Sequence, residues 1–396
     1  MTETATAGRD RASLLIMGLA AFMVQADARV MDPLLHVVAH DFHRTPPEAA
    51  IVISSYALPY GLFQLLYGPV GDRVGKLRVM AACLSLFSIG TFACAFVPNI
   101  PVFAILRFLT GVAAAAVIPM SVGYIGDKFP YQGRQIALGR FMSALMMGQI
   151  VGSTVGGLFG QYLGWRNVFI ALGVAAFVVS ILLAREGRRF PEGVNASTPL
   201  TFLTRYTGIA RRPGAPLVLG TVLIEGLFVF GGLAYLASSL TDRFSINYAY
   251  AGLMVAGFGC GGLIYSVSVK KLVTRIGELG VLRLGGALLG VGFVSIGMMP
   301  SWHWFIPAVI VVGMGYYTMH GTLQTRATEL APQARGAAIS LFAFFFFLGQ
   351  ATGPQLLGAI VNARGYGPAF IAAGIGLFAT AFISRMLFAH ATRRQA

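Results

Sequence analysis

The sequence predicts an all-α membrane protein with twelve transmembrane helices arranged as two pseudo-symmetric six-helix bundles. Three observations predict this fold class. Hydrophobic residues make up 56% of the 396-residue chain and charged residues only 11%, whereas about a quarter of the residues of a soluble domain are charged. The chain contains twelve apolar runs long enough to cross a bilayer, and its second half repeats features of the first in register.

The apolar runs define the predicted helices, since about 20 apolar residues span the hydrocarbon core. They lie at about residues 12–36, 47–70, 79–98, 101–125, 136–161, 166–184, 215–240, 248–270, 280–299, 304–326, 336–361 and 367–388. The longest polar segment separates the first six runs from the last six. We therefore predict an N-terminal six-helix bundle (1–184), a cytoplasmic linker (185–213) with a short amphipathic helix near 199–210, and a C-terminal six-helix bundle (214–396).

The distribution of basic residues predicts the orientation. With the N-terminus inside, 22 lysines and arginines fall in inner loops and tails, 4 in outer loops and 3 within spans. Because cytoplasmic loops are enriched in Lys and Arg, both termini are expected in the cytoplasm. This topology accounts for the net charge of +15 without a nucleic-acid partner. We expect a monomeric, multi-pass protein of the bacterial inner membrane.

An internal repeat relates the two halves. "GQIVGSTVGG" at 148–157 matches "GQATGPQLLG" at 349–358, and "FIALG" at 169–173 matches "FIAAG" at 370–374, both at an offset of 201. "DRVGKLRV" at 72–79 returns as "TRIGELGV" at 274–281, at an offset of 202. A duplication of six spans places both halves in the same orientation, as in transporters built from parallel repeats.

The segment "GPVGDRVGK" at 68–76, after the second span, fits the pattern G-x-x-x-D-R-x-G-R/K. This pattern resembles a signature of the major facilitator superfamily. "RFLTG" at 107–111 resembles its R-x-x-x-G motif in span 4. "GQIVGSTVGG" resembles its antiporter signature in span 5, with Ser153 in place of the usual proline. Together with "LGWRNVF" at 163–169, these motifs resemble the twelve-span drug:proton antiporter branch.

The resemblance implies a conformational latch at the charged loop after span 2. Its expected members are Gly68, Asp72, Arg73, Gly75, Lys76 and Asp127. By resemblance, Asp72 lies against the N-terminus of span 11 near Gly336, where free backbone N–H groups favour an anion. Lys76 would bridge to Asp127 at the inner end of span 4. A basic turn that only sets the topology is the alternative interpretation.

Acidic residues within the spans are the candidates for proton coupling, because charges in the bilayer usually face a cavity or a partner. A rise of 1.5 Å per residue places Asp27 and Arg107 at the same depth and Glu225 at the midplane. Asp32 is expected to pair locally with Arg29. Glu225 has no evident basic partner at its depth in its own half, so burial favours its protonated form. Asp27 is slightly preferred as the coupling site, with Arg107 competing with the proton. Structural roles for these acids are the alternative.

Polar and aromatic residues follow single helical faces. Spacings of three or four residues align them along span 2 and along span 10. The candidate substrate-binding residues are Tyr56, Tyr60, Gln64, Gln149, Tyr316, Tyr317, His320 and Gln350. Packing alone is the competing interpretation of the aromatic residues, and His320 is expected toward the inner side. The run "FAFFFFLG" at 342–349 would supply an apolar wall.

Glycines recur every four residues in two equivalent spans. They are Gly148, Gly152 and Gly156 in span 5, and Gly349 and Gly353 in span 11. A smooth face of this kind permits close helix contact. Helix packing is therefore the first interpretation, and a hinge or seal would be an additional role.

The function that these features predict is proton-coupled export of amphipathic or drug-like organic molecules by alternating access. The expected partners are a small-molecule substrate, protons and the lipid bilayer. The alternative is an importer or facilitator of a small polar metabolite, such as a sugar or an organic acid, with Arg29 and Arg107 binding an anion. A membrane receptor without transport activity is a third possibility. We predict no enzyme, metal site or cofactor, because no nucleophile–base pair, metal-ligand cluster or nucleotide-binding loop is present in the sequence.

Overall fold

The computed structural model describes residues 2–129, 131–189 and 202–393, and this part of the chain is helical without a strand. Its long helices are α1 (Thr2–Asp41), α2 (Ile51–Val74), α3 (Lys76–Ala93), α4 in two segments (Ile100–Ala114 and Val117–Lys128), α5 (Tyr131–Leu158), α6 (Trp165–Arg189), α7 (Ala215–Phe244), α8 and α9 (together Tyr248–Met298), α10 (Phe305–Glu329), α11 (Arg335–Arg364) and α12 (Tyr366–Arg393). Between α6 and α7 lies the short helix Phe202–Ala210, here called the linker helix. The predicted all-α class is confirmed.

Twelve helices of this set have the length of a membrane span. Within the described ranges, 10 helical segments are long and apolar enough to cross a membrane. One of them, Tyr248–Met298, has 51 residues, which is about twice the length of one span, and it contains α8 and α9. Helix α10 adds the twelfth. Tyr316, Tyr317 and His320 make this helix less apolar than the others, as is typical of a helix with one polar face.

The charged loop after span 2 is shorter than predicted. Helix α2 continues to Val74 and α3 begins at Lys76, so that Gly75 alone separates them, with φ of 102°. Helices α8 and α9 are likewise separated at Gly277, with φ of 67°. The two glycines are related by the 202-residue offset of the repeat. Positive φ is readily adopted only by glycine, which explains why this residue occurs at both breaks.

The glycine faces of α5 and α11 lie against other helices of the same bundle. A Cβ atom on Gly148, Gly152 or Gly156 would collide with the backbone of α1. A Cβ atom on Gly349 or Gly353 would collide with the backbone of α7. The pairs α1–α5 and α7–α11 are therefore equivalent close contacts in the two pseudo-symmetric bundles.

The two bundles contact each other at the midplane and in the half that the charge distribution assigns to the outer leaflet. In that half, Gly157 of α5 lies against the backbone of Tyr248 and Gly252, and Gln355 Nε2 of α11 donates to Ser54 Oγ at 3.4 Å. Near the midplane, Gly61 of α2 lies against the side chain of Phe347. The structure is therefore closed on the predicted outer side.

The inner end of α6 differs from the prediction, which ended this span at residue 184. The helix continues to Arg189 and buries Glu186, which is only 7% exposed and accepts a hydrogen bond from Ser13 Oγ. This contact with α1 keeps the extra turn of α6 on the bundle. The predicted linker begins within this turn, its residues 190–201 lie outside the described part of the chain, and the linker helix falls where a short amphipathic helix was predicted.

Candidate transport site

Asp27 and Arg107 form a buried ion pair inside the N-terminal bundle. Arg107 Nη1 of α4 lies 2.5 Å from Asp27 Oδ2 of α1, and the two side chains are 1% and 0% exposed. Thr91 Oγ1 of α3 donates to the same carboxylate at 3.5 Å. The guanidinium also stacks on the ring of Tyr56, 4.1 Å from its centroid. Asp27 and Arg107, which the sequence places at one depth, are in direct contact in the structure.

The polar stripe of α2 divides between two environments. The Tyr56 hydroxyl donates to the Val24 carbonyl at 3.4 Å, so this residue faces the interior of its own bundle and not the bundle interface. The Tyr60 ring lies 4.5 Å from the ring of Phe347 in the other bundle. Gln64 is 7% exposed. Tyr60 is thus the member of the stripe that contacts the opposite bundle.

Glu225 has a basic partner, contrary to the prediction. His320 Nδ1 of α10 lies 2.9 Å from Glu225 Oε2 of α7, and Glu225 is fully buried. The predicted span 10 ended at residue 326 and placed His320 close to the inner surface. Helix α10 instead continues to Glu329, which places His320 about 14 Å from the inner helix end, close to the depth of Glu225.

Aromatic rings surround the imidazole of His320. Its ring centroid lies 5.1 Å from Tyr316, 5.2 Å from Phe342 and 4.8 Å from Phe346. Phe346 also packs on Phe230 of α7 at 5.3 Å. The phenylalanine run of α11 therefore supplies the predicted apolar wall, and this wall encloses the Glu225–His320 pair on one side.

A second ion pair lies at the bundle interface. Arg29 Nη1 is 3.3 Å from Asp32 Oδ2, and the side chains are 11% and 3% exposed. The Arg29 guanidinium also lies 4.5 Å from the ring centroid of Phe230, across the interface. These two residues line a small cavity with Gln149, Ser153, Val255 and Phe258, among others. The sequence predicted this local pair, and Arg29 was considered as an anion-binding residue only for the alternative importer. The sequence feature that indicates a site here is the number of charged residues in α1, where Asp27, Arg29 and Asp32 lie within six residues.

Two glutamines lie at or near this interface. Tyr317 Oη of α10 donates to Gln149 Oε1 of α5 at 3.3 Å, which joins the two bundles. Gln350 of α11 is 5% exposed, and its Oε1, like Glu225 Oε1, has no hydrogen-bond partner among the described residues. Buried polar atoms normally have a partner, so these two acceptors are positions where a ligand or water donor is expected.

The predicted latch is only partly formed. Lys76 Nζ lies 2.7 Å from Asp127 Oδ2, as the resemblance implies, and 2.9 Å from Asp72 Oδ1. Among the described residues, the Asp72 side chain contacts Lys76 and not the N-terminus of α11, and no atom lies within 4 Å of a Cβ built on Gly336. The same holds for a Cβ built on Gly68 at the inner end of α2, so the bundles do not touch at these two positions. Gly68 and Arg73 lie in the last two turns of α2, and Gly75 forms the break after it.

The profile of the Major Facilitator Superfamily matches residues 17–354. The chain belongs to this superfamily. This transporter is 24% identical to the uncharacterized MFS-type transporter YceJ of Bacillus subtilis, over 85% of this chain and 86% of YceJ. It is also 24% identical to the quinolone resistance protein NorA of Staphylococcus aureus, over 90% of this chain and 92% of NorA.

Solved structures share the fold of the transporter. An inward-facing bacterial homologue of the human lysosomal transporter Spinster aligns with a TM-score of 0.70 at 17% identity, covering 97% of this chain and 95% of that one. The nucleoside transporter NupG aligns with a TM-score of 0.74 at 14% identity, covering 95% of this chain and all of NupG. The predicted superfamily and fold are confirmed.

Replacing Asp72 with asparagine is expected to slow transport while leaving membrane insertion intact. The carboxylate is 46% exposed, so its ion pair with Lys76 contributes little to folding. Closing the inner side is expected to bring Asp72 to the N-terminal end of α11, where a carboxylate gains up to about 2 kcal/mol, or about 30-fold in the closing equilibrium. Transport by purified, reconstituted Asp72→Asn measures the effect. Glu278→Gln, at the repeat-related break, is the control. Wild-type transport by Asp72→Asn would show that the segment only sets topology.

Proposed function

We propose that this transporter is a proton-coupled exporter of amphipathic, cationic or neutral organic molecules, working by alternating access. One observation carries the proposal: both of the candidate anion-binding arginines, Arg29 and Arg107, are already paired with acids. An importer of organic anions requires an arginine that is available to the substrate. The paired arrangement leaves neither arginine available to an anion and therefore favours substrates that are not anions.

The aromatic lining supports the same substrate class. Tyr316, Phe346 and Phe347 cluster around the midplane contact between the bundles. Ring faces attract cations, and their area accommodates apolar molecules without specific hydrogen bonds. The Glu225 Oε1 atom, which has no partner among the described residues, provides an acceptor for an ammonium group at this depth.

The Glu225–His320 pair is our proposed proton-coupling site. Histidine changes charge near neutral pH, whereas arginine stays protonated. His320 is also 17% exposed, whereas Asp27 and Arg107 are enclosed within one bundle. A proton bound by this pair and a cationic substrate compete for the same carboxylate, and this competition couples their movements in opposite directions. Asp27, which the sequence favours slightly, is the alternative coupling site.

The relatives and the topology support export from a bacterial cell. NorA is named as a quinolone resistance protein, and a relative in Floropilus chiversii, 24% identical over 89% of this chain and 77% of its own length, is named as the efflux pump radE. The excess of Lys and Arg in the predicted inner loops supports cytoplasmic termini, and in this orientation the side opposite the closed outer contacts faces the cytoplasm. The proposed setting is the inner membrane, and the proposed working unit is a monomer.

Reconstitution in proteoliposomes with an imposed proton gradient tests the proposal. A lipophilic cation such as ethidium, an uncharged amphipathic dye and a small carboxylate such as benzoate are compared in the same vesicles. We expect transport of the cation and the neutral dye against the direction of proton flow, which a protonophore abolishes. Transport of benzoate but of neither the cation nor the neutral dye, in the same direction as the protons, would support the importer instead.

A further inference from the structure

Pro69 interrupts the hydrogen-bond ladder of α2. Because proline lacks a backbone N–H, the carbonyl four residues earlier loses its helical partner. In α2 that carbonyl belongs to Leu65, in the inner half of the helix. A backbone carbonyl inside the membrane needs a donor from another part of the protein.

The linker helix supplies this donor. Tyr206 Oη donates to the Leu65 carbonyl at 3.0 Å. One turn further on, Ile209 is 3% exposed, so this helix is seated on the protein by an apolar face as well. It lies against α2 of the N-terminal bundle and against α7 and α11 of the C-terminal bundle. Just after it, Arg212 Nη1 donates to the Leu330 carbonyl at 2.8 Å.

The Tyr206–Leu65 contact lies deep enough along α2 to affect closure of the inner side. Leu65 lies nine residues before Val74, the last residue of α2, which corresponds to about 14 Å along the helix. The Tyr206 side chain of the linker helix therefore contacts α2 about 14 Å from its inner end. Closing the inner side has to bring α2 and α11 together, and the linker helix lies against both.

We propose that the linker helix is a wedge that holds the inner side open, anchored by the Tyr206 hydroxyl on the carbonyl that Pro69 leaves free. Inner closure requires that this hydrogen bond breaks and that the linker helix withdraws from α2. The wedge acts on the open–closed equilibrium itself. It does not depend on the substrate or on the proton-coupling residue.

Distances between spin labels at the inner side test the wedge. In a background with Cys83, Cys94 and Cys260 replaced by alanine, labels are placed by Val74→Cys on α2 and Gln333→Cys before α11. Tyr206→Phe keeps the ring and removes the hydroxyl. We expect it to lower the open-to-closed ratio about two- to tenfold, the range for loss of one net hydrogen bond. Tyr250→Phe, an exposed tyrosine at the outer end of α8, is the control and is expected to leave the ratio unchanged.

Pro69→Ala tests the same hydrogen bond from the other partner. Alanine restores the backbone N–H that pairs with Leu65, so the carbonyl no longer needs Tyr206. We expect Pro69→Ala to shift the ratio toward the closed state, and Tyr206→Phe to have a smaller effect in that background than alone. A distance distribution in Tyr206→Phe that equals that of the parent would overturn the proposal. So would an equal effect of Tyr206→Phe in both backgrounds, because the hydroxyl would then act elsewhere.

Discussion

Replacing Arg107 with methionine is expected to abolish transport and to destabilise the folded protein by about 3–5 kcal/mol, because it leaves a buried carboxylate without its partner. Asp27 is fully buried, and its other contact through the side chain is a 3.5 Å hydrogen bond from Thr91. Among the described residues, Arg107 is the one basic group that contacts this carboxylate. Thermal unfolding of the detergent-purified protein measures the loss of stability.

The double variant Asp27→Leu with Arg107→Met separates a structural role from a functional one. Replacing both members of a buried ion pair with apolar residues of similar size is often neutral or stabilising. We therefore expect the double variant to recover the stability that the single variant loses. We also expect it to recover proton-driven transport, because the pair is enclosed in the N-terminal bundle and away from the proposed proton site. Recovery of stability without recovery of driven transport would assign the coupling to Asp27 instead.

Replacing Glu225 with glutamine is expected to remove proton-driven accumulation while retaining exchange of substrate without a gradient. The amide keeps the shape of the side chain but neither ionises nor competes for a proton. Coupling between two ligands is typically worth about 5- to 150-fold in affinity, so accumulation should fall by at least the lower figure. His320→Gln is expected to act in the same direction, because it removes the basic partner that lies 2.9 Å from the Glu225 carboxylate.

Two transport measurements test whether Glu225 is the proton-coupling site. Uphill transport is measured with an imposed proton gradient, and exchange is measured between equal substrate concentrations at equal pH. Glu278→Gln is the matched control, since it removes a carboxylate that is 43% exposed and paired with Arg326 and should change neither rate. Normal uphill transport by Glu225→Gln would exclude this residue as the coupling site and leave Asp27 as the candidate.

The sequence by itself determined the features that depend on position along a helix. Length and hydropathy defined the twelve spans, and the repeat related Gly75 to Gly277. The four-residue spacing of Gly148, Gly152 and Gly156 predicted a packing face. Counting residues from the span ends also placed Asp27 and Arg107 at one depth. These inferences hold because a helix has a fixed rise and period, so that spacing in the sequence becomes depth and direction in the membrane.

Only the tertiary structure decided which of these side chains meet. The pairing of Glu225 with His320 depended on where α10 ends, and the different surroundings of Tyr56 and Tyr60 depended on the rotation of α2 against its neighbours. The contact of Tyr206 with Leu65 and the distance between Asp72 and α11 depend on how the two bundles stand relative to each other. That relation is absent from the sequence pattern for a physical reason: in a transporter with alternating access, the same helices must form more than one arrangement of the bundles, with small differences in free energy between them.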